Sequence, residues 1–273
     1  LGDNGNVTYD PAVTQGVTSA TTVVSAAGAA DTIETGDGRD VILAGEGGDR
    51  VLAGAGADLV MGDQGVVTGS APAAFGTLTS LVNEVPGDDH IDLGAGNDVA
   101  IGGLGNDSIF AGQGEDMALG DSGHIKFSGL SAIEEIVLED QDRGGDDFIT
   151  AAGVGGDNIL VGQFGADTIE GGTDDDIILG DFALFNFLPG AQGFAGQSSA
   201  DRMQKMTSVR VDLSFNDLLT GDLGSDFMLG GMGDDVMYGD EGQDFMIGDM
   251  IIFERTWEAR GLVIFEETTV DTN

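Results

Sequence analysis

The chain reads as an all-β repeat solenoid, and three observations predict it. Aspartate recurs about every nine residues, each such aspartate closes a glycine-rich turn, and a short segment with an apolar or small centre follows it. One run is LAGEGGDRVLAGAGADLV, from Leu43 to Val60; another is LGAGNDVAIGGLGNDSIFAGQGEDMAL, from Leu93 to Leu119. Six turn residues and a three-residue strand make one unit, too small to bury a core alone, so units must stack on their neighbours.

Composition supports an ordered repeat. Glycine supplies 48 of 273 residues, against a usual share of about 7%. A disordered glycine-rich chain would not place 41% hydrophobic residues in register with its turns, nor would collagen break the three-residue glycine period. The turn aspartates are Asp31, Asp40, Asp49 and Asp58, then Asp89, Asp98, Asp107 and Asp116. They continue as Asp147, Asp157, Asp167 and Asp176, then Asp217, Asp226, Asp235 and Asp244. The strand centres expected to fill the interior are Ile33, Ile42, Val51, Val60, Ile91, Ala100, Ile109 and Ala118. In the second half they are Ile149, Ile159, Ile169, Ile178, Leu219, Met228, Met237 and Met246.

The unit resembles the calcium-binding nonapeptide G-G-x-G-x-D-x-U-x of the repeats-in-toxin (RTX) proteins. The resemblance rests on the repeats and on no enzyme motif. It implies a parallel β-roll with two nonapeptides per coil and Ca²⁺ held between turns stacked on the same edge. Asp40 and Asp58 then belong to one edge, Asp31 and Asp49 to the other. Ca²⁺ suits such turns because it takes about six to eight oxygens from carboxylates and backbone carbonyls. Glycine lets the turns adopt left-handed dihedrals that point carbonyls inward. With 49 acidic and 9 basic side chains the formal net charge is −40, which opposes compaction unless cations enter the structure. The same charge excludes nucleic acid as a partner and repels an anionic membrane surface.

A larger period is marked by an aliphatic residue or Met before Gly-Asp, at Asp3, Asp63, Asp121, Asp181 and Asp249, spaced 60, 58, 60 and 68 residues apart. Between markers lie an insert and four turns. The divisions are 1–30 (the end of a preceding module and its insert), 31–86, 87–143, 144–216 and 217–273, each of the last four one module with its insert. Because every insert leaves and re-enters the same turn, the inserts should project from one edge in a row. At two coils per module they lie roughly 10 Å apart and can touch. Candidate insert strands are His124–Phe127, Ile136–Leu138, Met250–Phe253 and Leu262–Phe265. Residues 200–211, with Arg202, Lys205 and Arg210, form the most basic stretch and a candidate short helix.

The markers Asp63, Asp121, Asp181 and Asp249 occupy turn position two and are second-tier metal candidates. Asp222 and Asp240 stand at the same position, where they add a ligand or distort the turn. The third module is irregular: Asp147, Asp157 and Asp167 are ten residues apart, so two turns carry an extra residue there. Other chemistry is absent from the sequence. It holds no H-E-x-x-H, G-x-S-x-G or G-x-x-x-x-G-K-S/T motif and no cysteine. His90 and His124 read as packing residues. Phe182, Phe185, Phe187, Phe194 and Trp257 read as packing between inserts, or as a contact for a glycan or protein. No apolar run approaches the ~20 residues of a membrane span.

The expected function is a calcium-binding structural segment, not an enzyme, cut from a large extracellular or cell-surface bacterial protein of adhesin-like or filament-forming type. Its expected partners are calcium ions and further copies of itself. Two alternatives stay open: a calcium-dependent folding and secretion module of an enzyme or toxin lying outside this segment, and a binding module using the aromatic inserts.

Overall fold

The computed structural model describes residues 1–2, 5–9, 17–22, 28–71, 74–81, 86–128, 132–138, 143–151, 153, 155–187, 203–208, 214–249, 252–255 and 263–266. No helix occurs among them. Phe194, Met250, Trp257 and Leu262 lie outside them, as do Asp3, Arg202 and Arg210.

Successive nonapeptides alternate between two parallel sheets. One contains, in spatial order, Thr32–Asp37, Arg50–Ala55, His90–Asp92, Ser108–Phe110, Phe148–Thr150, Thr168–Thr173, Leu218–Gly224 and Val236–Tyr238. The other contains Val41–Leu43, Leu59–Met61, Val99–Ile101, Met117–Leu119, Ile159–Val161, Ile177–Leu179, Phe227–Leu229 and Phe245–Ile247. Pairing is in register between units n and n+2, as Ile33 with Val51 and Ile42 with Val60. An insert does not disturb it: Val51 pairs with Ile91, across the second insert. Eight coils result, a roll of about 40 Å at ~4.8 Å per strand.

The strand centres from both sheets form a narrow interior in which Val51, Val60, Ile91, Ala100, Ile109, Ala118, Ile149, Ile169, Ile178, Leu219 and Met228 are fully buried. Ile33 in the first coil and Met237 in the last are only partly buried, and Met246 is 47% exposed, because an end coil lacks one neighbour. One expected centre is corrected. Leu160, not Ile159, points into this interior; Ile159 is buried on the opposite face of its sheet.

The inserts build a third sheet. Five antiparallel hairpins line up side by side: Gly5–Tyr9 with Val17–Thr22, Gly65–Ala71 with Ala74–Ser80, Gly123–Ser128 with Ala132–Leu138, Ala183–Phe187 with Met203–Ser208, and Ile252–Arg255 with Val263–Glu266. Each also pairs with the next, as Ser19 with Thr68, His124 with Thr79, Glu135 with Asn186 and Lys205 with Glu254. Two coils advance about 10 Å, which is the width of a two-stranded hairpin, so hairpins issued every two coils meet without a gap. The expected short helix in 200–211 is therefore a strand, Met203–Ser208, held by pairing on both sides.

This third sheet covers one face of the roll. Leu59, Met61, Val99, Ile101, Met117, Leu119, Ile159, Val161, Ile177 and Leu179 pack under Val67, Leu78, Ile125, Phe127, Ile133, Ile136, Leu138 and Phe182. The covered roll sheet is accordingly apolar on both faces, with strands such as Leu59–Met61, Val99–Ile101 and Met117–Leu119 buried at every residue. The opposite roll sheet buries chiefly its centres, and flanking residues such as Thr32, Glu34 and Arg50 face outward.

The two faces should respond differently to truncation. Ile101→Ala, beneath the insert sheet, should cost about 2–5 kcal/mol. Ser108→Ala, on the outward face, should stay within about 0.5 kcal/mol. Denaturant unfolding in saturating calcium measures both, and equal losses would contradict the covered face.

Candidate metal centres

The sixth residue of each turn is tied to its counterpart one coil on. The backbone N–H of Asp31 donates to Oδ1 of Asp49 at 2.7 Å, and the series continues through Asp89, Asp107, Asp147, Asp167, Asp217 and Asp235 at 2.7–3.1 Å. A second row on the other edge runs from Asp40 through Asp58, Asp98, Asp116, Asn158, Asp176 and Asp226 to Asp244 at 2.7–3.2 Å. The assignment of Asp40 and Asp58 to one edge, and of Asp31 and Asp49 to the other, matches this geometry.

The second row also corrects the third module. Asn158 holds the place expected for Asp157. Asp157 sits one position earlier, where its Oδ1 accepts the Asp175 N–H at 3.1 Å, as Asn97 accepts from Glu115 in the turn before. A single turn, the one ending at Asn158, therefore carries both extra residues, and spacing is nine again from Asn158 to Asp167. The clue was local: only this frame makes Ile159-Leu160-Val161 a three-residue apolar strand like those that flank it.

The second carboxylate oxygen is the informative one. Oδ2 of Asp58, Asp89, Asp98, Asp116, Asp147, Asp167, Asp176, Asp217, Asp226 and Asp235 is buried without a hydrogen-bond partner. These oxygens face backbone carbonyls. A Cβ added at Gly62 would collide with Asp89 Oδ2 and meet the Gly102 carbonyl; at Gly120 it would meet Asp147 Oδ2 and the Gly162 carbonyl; at Gly180, Asp217 Oδ2 and the Gly230 carbonyl. Acceptor facing acceptor in a water-poor space costs free energy unless a cation lies between them. Among the described residues no three Asp, Glu or His side chains gather at one point, so most of the oxygens must come from the backbone. That donor set, one carboxylate oxygen with several carbonyls, fits a hard cation of the Ca²⁺ type. Glycine is needed on the same ground: Gly45 and Gly47 lie at φ +122° and +115°, and a side chain at Gly62 or Gly120 would fill the cage.

Electrostatics agree. Burial raises the carboxyls of Asp89, Asp98 and Asp167 to about 7 and those of Asp116, Asp176 and Asp217 to about 8, against partial relief from the ladder hydrogen bond. A bound cation reverses that shift.

The marker aspartates Asp63, Asp121 and Asp181 each bond a backbone N–H at an insert junction, and Oδ1 of Asp181 is buried without a partner, as in the rows. Asp63 Oδ2 accepts the Leu104 N–H at 2.7 Å, and Asp181 Oδ2 accepts the Met232 N–H at 2.5 Å. Asp121 accepts from Gly145 at 3.1 Å and Phe164 at 2.7 Å. Each pins the turn of a following coil where an insert leaves the roll. Burial and then the nearby Asp167 and Asp107 push the Asp121 carboxyl well up. Asp249, in the last coil, is exposed. Asp222 and Asp240 keep turn position two at φ +69° and +58°. Gln163, unremarked in the sequence, sits there too, at φ +90°, with both carboxamide atoms buried and partnerless. His90 packs on Phe110 at 5.0 Å between ring centroids, and His124 Nδ1 is 2.7 Å from Thr79 Oγ1, both apart from the aspartate rows.

The raised carboxyls give a pH test for the metal-free chain. Folded, they retain protons that the unfolded chain releases, so their contribution is present below 3.8 and is lost as pH rises towards about 8. In chelator, far-ultraviolet circular dichroism should gain strand signal on acidification from about pH 8 to about pH 5 across that window. A signal that falls or stays flat would refute the arrangement of buried carboxyls.

The sequence model of the RTX calcium-binding nonapeptide repeat matches four stretches, residues 25–65, 85–124, 152–182 and 213–246, together more than half of the chain. They fall on the four groups of turns, apart from the turn ending at Asp147, and leave out most of each insert. No curated protein matches the chain. The RTX repeat is a structural calcium-binding element rather than a catalytic one. With the aspartate rows and the parallel roll in place, the chain belongs to the RTX calcium-binding nonapeptide repeat family.

Proposed function

We propose that this chain is a calcium-assembled structural segment of an extracellular bacterial protein, of adhesin-like or filament-forming type, whose fold is switched on by external Ca²⁺. The observation that carries the reading is the pair of aspartate rows with buried, partnerless Oδ2 atoms facing carbonyls. On the first edge Asp49, Asp89, Asp107, Asp147, Asp167, Asp217 and Asp235 would hold ions; on the second, Asp58, Asp98, Asp116, Asp176 and Asp226. Bound there, Ca²⁺ supplies positive charge between adjacent coils. The chain contributes the rest: the ladder hydrogen bonds orient each carboxylate, and the interior and insert sheet exclude water.

A magnitude favours metal dependence. Neighbouring carboxylates about 4.8 Å apart repel by roughly 3–4 kcal/mol at an effective dielectric of about 20. A hydrogen bond to a charged group returns only about 1.5–3 kcal/mol. Each interior carboxylate has two such neighbours, except Asp116 and Asp176 beside Asn158, so the metal-free rows oppose folding at neutral pH. Extracellular modules bind Ca²⁺ at about 10⁻⁴–10⁻³ M, a range that leaves the chain unfolded inside a cell and folded outside. A continuous three-sheet body suits a load-bearing spacer.

Far-ultraviolet circular dichroism during a Ca²⁺ titration tests this, with Mg²⁺ as control because it demands small octahedral sites and sheds water reluctantly. Strand signal should rise with Ca²⁺, not with Mg²⁺, and collapse on chelation at neutral pH. Light scattering on the same samples separates a filament, which scatters more as it folds, from an isolated spacer. Strand signal indifferent to chelator would reject the reading.

A further inference from the structure

One rung of the second row is built without the need that every neighbouring rung shows. From Asp58 to Asp226 the row passes through Asp98, Asp116, Asn158 and Asp176, and each aspartate leaves Oδ2 buried and partnerless. Asn158 is equally buried, at 1% exposure, yet both ends of its carboxamide are engaged. Its Oδ1 accepts the Asp116 N–H at 2.9 Å, and its own N–H donates to Asp176 Oδ1 at 2.7 Å, so the ladder passes through unbroken. Its Nδ2 donates to the Gly156 carbonyl at 2.8 Å and, more weakly, towards the Gly171 carbonyl at 3.4 Å.

Those two acceptors identify what the amide replaces. Gly171 opens the next turn on the same edge, and the carbonyl at that turn position is the one that elsewhere faces a carboxylate oxygen. One coil on, a Cβ added at Gly171 would lie 2.6 Å from Asp176 Oδ2 and 3.0 Å from the Gly221 carbonyl. At Asp176 an oxygen confronts a carbonyl and needs a cation between them. At Asn158 an N–H points at the carbonyl and needs none. The amide orientation follows from the donors available: with oxygen and nitrogen exchanged, oxygen would face two carbonyls and the NH₂ would face the Asp116 N–H. The turn that Asn158 closes also carries two extra residues, and Gly153 within it, at φ +74°, has open space where a Cβ would be.

We propose that the Asn158 rung takes no calcium: its carboxamide occupies the ion's place and gives the second row one metal-independent link between Asp116 and Asp176. The inference rests on the calcium-lattice reading. Its consequence is a gap in the chain of ions on one edge, while the other edge runs through all its aspartates. Calcium binding in the coils before Asn158 is then coupled to binding in the coils after it through one row of ions only.

The test counts calcium per folded chain by native mass spectrometry in millimolar Ca²⁺, with circular dichroism confirming the fold of each variant. Asn158→Asp should gain one ion over the unaltered chain, because it restores the partnerless oxygen. Asp98→Asn, the converse change on the same row, should lose one. Asn158→Ala should leave the count unchanged while lowering the denaturant midpoint, since it removes hydrogen bonds and no ligand. Loss of an ion in Asn158→Ala, or an unchanged count in Asn158→Asp, would overturn the inference. An unaltered chain that binds no calcium would overturn the lattice reading, and this inference with it, which is a distinct result.

Discussion

Everything in this protein depends on stacking buried carboxylates directly above one another. The nine-residue period places an aspartate at the same point of every coil edge, and the ladder hydrogen bond turns one oxygen of each towards the coil before it. The other oxygen is thereby committed to a dry space shared with a backbone carbonyl. Ionised rungs stacked at this spacing repel by more than the ladder hydrogen bonds return, which is the charge balance a cation between coils would restore. Glycine follows from the same demand, since any side chain at Gly62, Gly120 or Gly180 would enter the cage. Part of the net charge of −40 thus lies in buried rows rather than on a solvated surface.

A second constraint is one of pitch. Roll coils and insert strands are both spaced by the β-sheet repeat of about 4.8 Å. A two-stranded insert every two coils therefore tiles a continuous sheet, and the 58–68-residue super-repeat is the sequence expression of that match. The third sheet thickens a body whose own interior is one residue deep on each side. It provides a second apolar layer, through Ile125, Phe127, Ile136 and Phe182, to a roll that could bury only its strand centres. The marker aspartates belong to this junction: Asp63, Asp121 and Asp181 tie the departure of each insert to a turn of a following coil.

Departures from the repeat gain meaning against this background. Asn158 offers an N–H to backbone carbonyls where its neighbours present a partnerless oxygen, and Gln163 buries a carboxamide where its counterparts Gly103 and Gly231 stand at positive φ. Both lie in the third module, in successive turns, and the ladder runs through both at ordinary distances.

The sequence by itself determined the turns, the aspartate rows except at Asp157 and the strand centres from Ile42 to Met228 except at Ile159, because these depend on chemistry within nine residues: glycine dihedrals, a carboxylate at a fixed offset and an apolar centre. The strands Leu59–Met61, Met117–Leu119 and Ile177–Leu179 are apolar at every position because the insert sheet covers their second face. Only the tertiary structure decided that the inserts pair with one another, that 203–208 is a strand and that Asn158 displaces Asp157 from the ladder. Those outcomes are set by neighbours 18 to 50 residues away, whose hydrogen bonds select the frame and whose side chains close the outer layer. For Asn158 the apolar strand Ile159–Val161 agrees with the frame, and the hydrogen bonds to Asp116 and Asp176 in the coils on either side fix it.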